Sequence, residues 1–302
     1  MKKEMNFIAM RKTAVIVSLC IFAVGILFNI IFGTGMDVSF SGGTLIRYSY
    51  TGEPNMDAVT SAVQDVLGST AEVTVENVDN TDVISVTLPS EISLQNQTDL
   101  ETRLEKDFSA HTLKQVESKT LSAPMGRQFF VKCLAAIALA AGFLLLYVGL
   151  RFRRIGGFSA GLCALLALVH DLLICYFVFV IFRINLDDNF VAVMLTILGY
   201  SLNDTIVIFD RVRENRRRHK NMPISDVVNL SINQTFTRTL VTAVAVFVAI
   251  AVVVAVALVM RIDSIMSFAL PMMFGVISGF YSSVFLSAPI WALWREKKAE
   301  KK

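Results

Sequence analysis

The chain has 302 residues, of which 54% are hydrophobic and only 18% charged. That balance excludes an ordinary water-soluble globule of this length. The formal net charge is +3, and its distribution along the chain carries more information than its size.

Six segments reach the roughly 20 apolar residues that a helix needs to cross a bilayer. They are 13–32, 129–150, 158–182, 190–209, 240–260 and 265–294. The first has too long an apolar core for a cleaved signal, and no small-x-small site follows it, so it reads as a retained anchor. The expected order is therefore a basic N-terminus with one span (1–32), a non-membrane region (33–127), a five-helix bundle (128–294) and a basic tail (295–302).

The region 33–127 alternates strand and helix signals. Met36–Tyr50 is β-rich, and Pro54–Leu67 carries Val59, Ala62, Val63 and Val66 at helical spacing. Ala71–Val78 and Val83–Leu88 alternate as strands around a turn at 80–82. Leu94–Phe108 is helical, with Leu100, Leu104 and Phe108 on one face, and His111–Leu121 closes as a strand. The order β-α-β-β-α-β predicts an α+β, ferredoxin-like domain. That fold by itself specifies no function.

Basic residues mark one side of the bundle. Arg11 and Lys12 precede the first span, Arg151, Arg153 and Arg154 separate the second from the third, and Arg211–Lys220 follows the fourth. Only Arg183 and Arg261 lie in the opposite short loops. The positive-inside rule puts both termini and the basic loops in the cytoplasm and the 33–127 domain outside. The run Arg216–Lys220 is accordingly a topology signal, and no nucleic-acid partner is expected. Residues 221–237 read either as an amphipathic helix on the membrane surface or as a helical extension of the fifth span. Gly157-x-x-x-Gly161 and Gly275-x-x-x-Gly279 have spacing that lets helices approach closely, and Pro271 and Pro289 are candidate kinks in the last span.

The four cysteines, Cys20, Cys133, Cys163 and Cys175, all fall in spans without zinc spacing, so neither a metal site nor a disulfide framework is expected. No nucleotide motif or nucleophile–base pair appears, and no enzymatic product or cofactor is expected.

Polar groups at membrane depth carry the chemistry. Asp204 lies in the fourth span, where a carboxylate costs roughly 2.5–3.5 kcal/mol on insertion scales and marks a partner, a water path or an ion. By a rise of 1.5 Å per residue it sits about 21 Å from the outer start of its helix. His170 and Asp171 lie in the antiparallel third span, about 18 Å from its basic end. Such chains of Asp and His mark proton relays, and a carboxylate path carries Na⁺ as well as H⁺. Arg238 at the basic end of the fifth span is placed to bias Asp204 toward its ionised form on approach. Packing roles stand beside these: a hydrogen-bonded carboxyl at Asp204 or Asp171, a satisfied His170, an interface anchor at Arg238, Arg211 or Arg213, and helix glue at Asn203, Thr205, Thr235, Thr237 and Thr239.

Tyr200-Ser-Leu-Asn-Asp-Thr-Ile-Val-Ile-Phe-Asp-Arg-Val-Arg-Glu-Asn215 resembles the signature of the SecF family of the bacterial Sec export machinery. Ser231-Ile-Asn-Gln-Thr-Phe-Thr-Arg-Thr-Leu240 and Val169-His-Asp-Leu172 resemble two further family motifs, and Ser41-Gly-Gly-Thr44 resembles the Gly-Gly-Thr motif that opens the exported domain. The resemblance covers the whole chain. It implies half of a transporter of the RND superfamily, paired with a SecD-like subunit beside a SecYEG-type channel, using the proton-motive force to move or release preproteins on the outer side. Asp204 and Arg238 fall on the family's proton-path positions. The motif positions Tyr200, Asn203, Thr205, Asp210, Arg211, Arg213, Asn233, Gln234, Gly42, Gly43 and Thr44 come with it. One departure stands: in the family two residues usually intervene between the Asp and its Gly-Gly-Thr, whereas the four residues Val38-Ser-Phe-Ser41 separate Asp37 from Gly42, and Asp37 receives no role.

Three other readings compete. An intramembrane aspartyl protease would use Asp171 and Asp204, but the Gly-x-Gly-Asp pattern is absent and the staggered depths put the two groups apart. A stand-alone RND-type small-molecule exporter would need the missing second half. A structural assembly factor would tolerate a neutral residue at 204.

Overall fold

The computed structural model describes residues 5–52, 54–78 and 81–300. Six helices in it are long and apolar enough to cross a membrane: Phe7–Phe32, Ala123–Arg151, Gly157–Ile181, Asp188–Arg218, Ile224–Met260 and the 35-residue stretch Ser264–Lys298. We number helices and strands in chain order. The spans are α1 (Phe7–Phe32), α5 (Ala123–Arg151), α6 (Gly157–Ile181), α7 (Asp188–Arg218), α8 (Ile224–Met260) and the composite α9 (Asp263–Tyr281) with α10 (Ala288–Glu300).

Between α1 and α5 lies an α+β domain. Its strands β1 (Gly43–Ser49), β2 (Glu72–Val78), β3 (Thr81–Leu88) and β4 (Lys114–Leu121) form one antiparallel sheet in the order β2-β3-β1-β4. Helices α3 (Met56–Leu67) and α4 (Leu94–Asp107) pack on it. This is the ferredoxin-like arrangement. Asn55 and Ser93 cap the two helices through side-chain acceptors. The apolar faces read from the sequence meet in one core: Val59 and Val63 of α3, Leu100 and Leu104 of α4, and Ile46, Ile84 and Val86 of the sheet.

Several boundaries differ from the sequence reading. Within Met36–Tyr50 the strand begins only at Gly43; Val38–Ser41 is a helical turn, α2, in which the Ser39 N–H and hydroxyl both donate to Asp37 Oδ2. Phe40 on α2 is buried against Phe129 and Phe130 of α5, which roots the domain on the second span. Met36 pairs with Leu186 of the α6–α7 loop, a second root. The turn expected at 80–82 falls in part on residues outside those described. The basic segment after the fourth span is helical to Arg218, and residues 224–237 continue without a break into the fifth span, so a separate surface helix over 221–237 is replaced by one 37-residue helix. Among the two candidate kinks, the break lies before Pro289. Proline has no N–H for the carbonyl four residues back, and the helix widens there into a π turn, Ser282–Ser287.

Helices α6, α7 and the last span form the interior of the bundle, while α1, α5 and α8 present most of their apolar side chains outward. Both glycine pairs mark close approaches. A Cβ at Gly157 would stand 2.0 Å from the Gly149 carbonyl oxygen of α5, and one at Gly279 would stand 3.0 Å from Ser201 Cβ of α7.

Candidate functional site: a buried carboxylate pair between α6, α7 and the last span

Asp171 is fully buried and is surrounded by donors. Its Oδ2 accepts from Ser201 Oγ of α7 at 2.5 Å and Ser282 Oγ of the π turn at 2.7 Å; its Oδ1 accepts from Ser278 Oγ of α9 at 2.5 Å. His170 Nδ1 lies 3.1 Å from the same Oδ1, and its Nε2 lies 3.0 Å from Ser18 Oγ of α1. With Nδ1–H donating to the carboxylate, Nε2 accepts the serine hydroxyl. Ser18 in turn is 3.3 Å from Tyr281 Oη, which donates to the Ala14 carbonyl at 2.6 Å. A polar chain thus crosses the apolar bundle from α1 to α7.

The local sequence explains how three serines converge. Gly279 lets α9 close onto Ser201, and the π turn shifts the helix register so that Ser282 and Ser283 both face inward. Ser283 Oγ is 2.8 Å from Thr205 Oγ1 and donates to the Ser201 carbonyl. The sequence reading missed this serine set. Its signal was there: four serines, Ser278, Ser282, Ser283 and Ser287, crowd ten residues in the second half of the last span.

Asp204 is 2% exposed, and its Oδ2 has no hydrogen-bond partner among the described residues. The Tyr200 hydroxyl, one turn earlier on the same helix, is likewise buried without a partner among the described residues. Between them Asn203 is exposed, as is Gly199, around which no atom comes within 4 Å of an added Cβ. Asp204 therefore lies close to an open face of α7. Ser201 ties Asp171 to a point three residues before Asp204, so the stagger between the two carboxyls is about one helical turn, smaller than sequence depths implied. The two carboxyls share no hydrogen bond among the described contacts, as an aspartyl dyad would require.

Arg238 is exposed and forms no ion pair with Asp204 among the described residues. It lines a cleft of about 820 Å³ at the basic end of α7 and α8, together with Asp210, Arg213 and Gln234. The remaining motif residues brace this end. Asp210 pairs with Arg151 at 3.0 Å and Arg213 at 2.8 Å. Gln234 accepts from Arg211 Nε at 2.6 Å and Asn215 Nδ2 at 2.8 Å. Asn233 exchanges hydrogen bonds with the backbone of Met5, which fixes the start of α1. In the α+β domain, Thr44 donates to the Ser90 carbonyl and accepts from Ile92 N–H. Gly43 passes so near β3 that a Cβ would stand 2.2 Å from the Leu88 carbonyl oxygen. Gly42 does the same against Ala123 at the start of α5. Among the described residues no cluster of His, Cys, Asp and Glu is arranged to hold a metal ion.

This bundle, with its signature helix, is matched over residues 101–297 by the family of protein export membrane proteins SecD/SecF, C-terminal region. The chain belongs to the SecD/SecF family. Protein translocase subunit SecF of Petrotoga mobilis is 30% identical, covering 99% of both chains, and that of Alicyclobacillus acidocaldarius is 28% identical over all of this chain and 96% of its own. Protein translocase subunit SecDF of Bacillus subtilis is 34% identical over 60% of this chain and 24% of its own length. The crystal structure of a Thermus SecDF, described as a translocon-associated membrane protein, superposes with a TM-score of 0.81 at 25% identity over 98% of this chain; this chain spans 39% of that longer one. Membership of the family and the six apolar spans make the chain a multi-pass membrane protein.

Proposed function

We propose that the chain is the SecF-type accessory subunit of a Sec protein translocase, acting with a SecD-like partner and coupling the proton-motive force to late preprotein translocation. The family match and the full-length SecF relatives support the translocase role. SecDF chains, in which this chain matches a minor part, support a SecD-type partner for the other half. The SecYEG-type channel and the preprotein follow from the translocase role. The positive-inside rule puts the basic ends in the bacterial cytoplasm and the α+β domain outside, where it meets the emerging preprotein.

The observation that carries energy coupling is the unpartnered buried oxygen of Asp204. A buried acceptor without a donor costs roughly 1–3 kcal/mol, and more when charged. Protonation removes the charged part of that cost, and a bound cation would supply the missing partner. Asp204 borders the open face of α7 at Gly199 and Asn203, a face suited to the partner half, so loading and release at Asp204 are coupled to how the two halves sit. Asp171, held by four donors, serves as a fixed polar anchor beside it, and its pairing with His170 extends the path toward α1.

The test is export of a reporter preprotein in cells whose own copy is replaced by Asp204→Asn. Normal membrane abundance with precursor accumulation supports coupling through Asp204; normal export reduces the residue to a packing group. Collapsing the proton and sodium gradients separately identifies the ion.

A further inference from the structure

Away from the carboxylates, a cleft of about 660 Å³ opens where α5, the start of α6 and α10 meet at the basic end of the bundle. Three cations border it: Arg153 on the turn after α5, and Arg295 and Lys298 on α10. None of them forms an ion pair among the described residues, and no acidic side chain lines the cleft. The Nε of Arg295 is buried without a hydrogen-bond partner among the described residues. Its guanidinium lies over Gly156, where an added Cβ would come within 3.1 Å of Nη1.

Below the cations the cleft becomes an apolar trench. Its floor on α5 is made by Gly142 and Gly149, seven residues apart on one face, each with no atom within 4 Å of an added Cβ. Leu146, Phe158 and Trp294 form its walls and are all exposed. Tryptophan at this depth is characteristic of the bilayer interface. Helix α6 begins in the cleft without a side-chain cap, which adds the positive end of a helix dipole to the three cations.

A soluble anion would use the cations but not the trench, and a lipid tail alone would not need the cations. We propose that the cleft is a binding site for one anionic glycerophospholipid, its phosphate on Arg153, Arg295 and Lys298 and an acyl chain along the Gly142–Gly149 floor. Basic pockets between membrane helices recognise anionic headgroups by this chemistry. The bound lipid would pin α10 to α5, and α10 follows directly on the π turn whose Ser282 reaches Asp171.

The test is photolabelling of the full chain reconstituted in phosphatidylcholine vesicles containing a trace of phosphatidylglycerol with a photoactivatable acyl chain. Adducts are expected to concentrate between residues 142 and 158 and at 294, and to be competed by unlabelled phosphatidylglycerol but not by added phosphatidylcholine. The variant Arg153→Gln/Arg295→Gln/Lys298→Gln should lower these adducts by about tenfold while labelling elsewhere is unchanged. Gly149→Leu fills the trench with every cation in place and should lower them equally; it decides the matter if the triple variant fails to fold. Adducts spread evenly around the bundle, or unaffected by Gly149→Leu, would overturn the proposal. Displacement by inorganic phosphate as efficient as by the lipid would assign the cleft to a soluble anion instead.

Discussion

Ser201 gives its hydroxyl to Asp171 across the bundle, while Asp204, three residues further along the same helix, keeps one buried oxygen unpartnered among the described residues. Two carboxyls about a turn apart thus have opposite surroundings. One is held by three serines and an imidazole; the other is close to an open helix face. A shared hydrogen-bonding demand would have made them equivalent. Their inequality divides the work, with a fixed anchor at Asp171 and an exchangeable site at Asp204.

Stability should separate the two. Asp171→Asn turns an acceptor of several hydroxyls into a group with a competing donor, and should cost about 1–3 kcal/mol. Asp204→Asn puts an amide where an oxygen already lacked a partner among the described residues and strands no neighbouring hydroxyl, so it should cost less than Asp171→Asn. Thermal unfolding of the purified variants in detergent checks this. A larger loss for Asp204→Asn than for Asp171→Asn would contradict the division.

This contrast was only half legible in the sequence. Asp204, Asp171 and His170 stand out because ionisable residues in apolar helices are rare, and the α+β domain is legible because its apolar periodicity changes between strand and helix. The donors to Asp171 were not legible. They depend on Gly279 admitting α9 to Ser201 and on a π turn that no helical period predicts. Hydrophobicity stops before helicity does: α7 runs on through charged residues beyond its apolar segment, and the extension of α8 back to Ile224 was one of two readings the helical period left open; side chains there pair and brace one another. At Arg238 the sequence placed a partner for Asp204, and the structure shows it solvent-exposed in a cleft with Asp210 and Gln234.

The junction between the α+β domain and α5 should be intolerant of added side chains. Gly42 has φ +78°, and a Cβ there would stand 2.3 Å from Ala123 Cα; a Cβ on Gly126 would stand 2.6 Å from Gly42 N. Gly68 has φ +90° with no atom nearby, so it isolates the conformational penalty, about 1–2 kcal/mol for an L-residue in that region. Gly42→Ala and Gly126→Ala should therefore destabilise the junction beyond Gly68→Ala or, for Gly126, despite a helical backbone. Limited proteolysis around residue 122 reads this directly; equal cleavage in all three variants would refute the close-contact argument.

Acidification should strengthen the loop that seats α7. Burial holds the Asp187 carboxyl above the usual carboxylate range, with the Asp37 carboxylate adding to the rise; the Phe190 N–H, Ser267 and Asn189 oppose it. A carboxyl whose folded pKa is raised binds its proton more tightly when folded. Its stabilising contribution is full below the unfolded value of about 3.9 and is lost as pH rises through the folded value. Asp187→Asn keeps an N-cap acceptor and abolishes this titration. The variant should match wild type near pH 4 and exceed it slightly at pH 7 in thermal unfolding. A wild type that gains stability over that interval relative to Asp187→Asn would reverse the sign and sink the argument.

The last prediction concerns coupling between Arg238 and Asp204. In this conformation the arginine lies in an open cleft and the carboxyl is buried, with no ion pair between them. If a second conformation brings them together, the guanidinium favours the carboxylate there and withdrawal favours proton uptake. Energetic coupling must then appear although this structure shows no contact. Export of a reporter preprotein in Arg238→Gln, Asp204→Asn and the double variant forms the cycle. Coupling predicts that the double variant is no worse than Asp204→Asn alone, because without a titrating carboxyl the arginine has nothing to bias. Defects that multiply would make Arg238 an independent brace of the basic end, beside Asp210 and Gln234, and would leave Asp204 to exchange its ion without it.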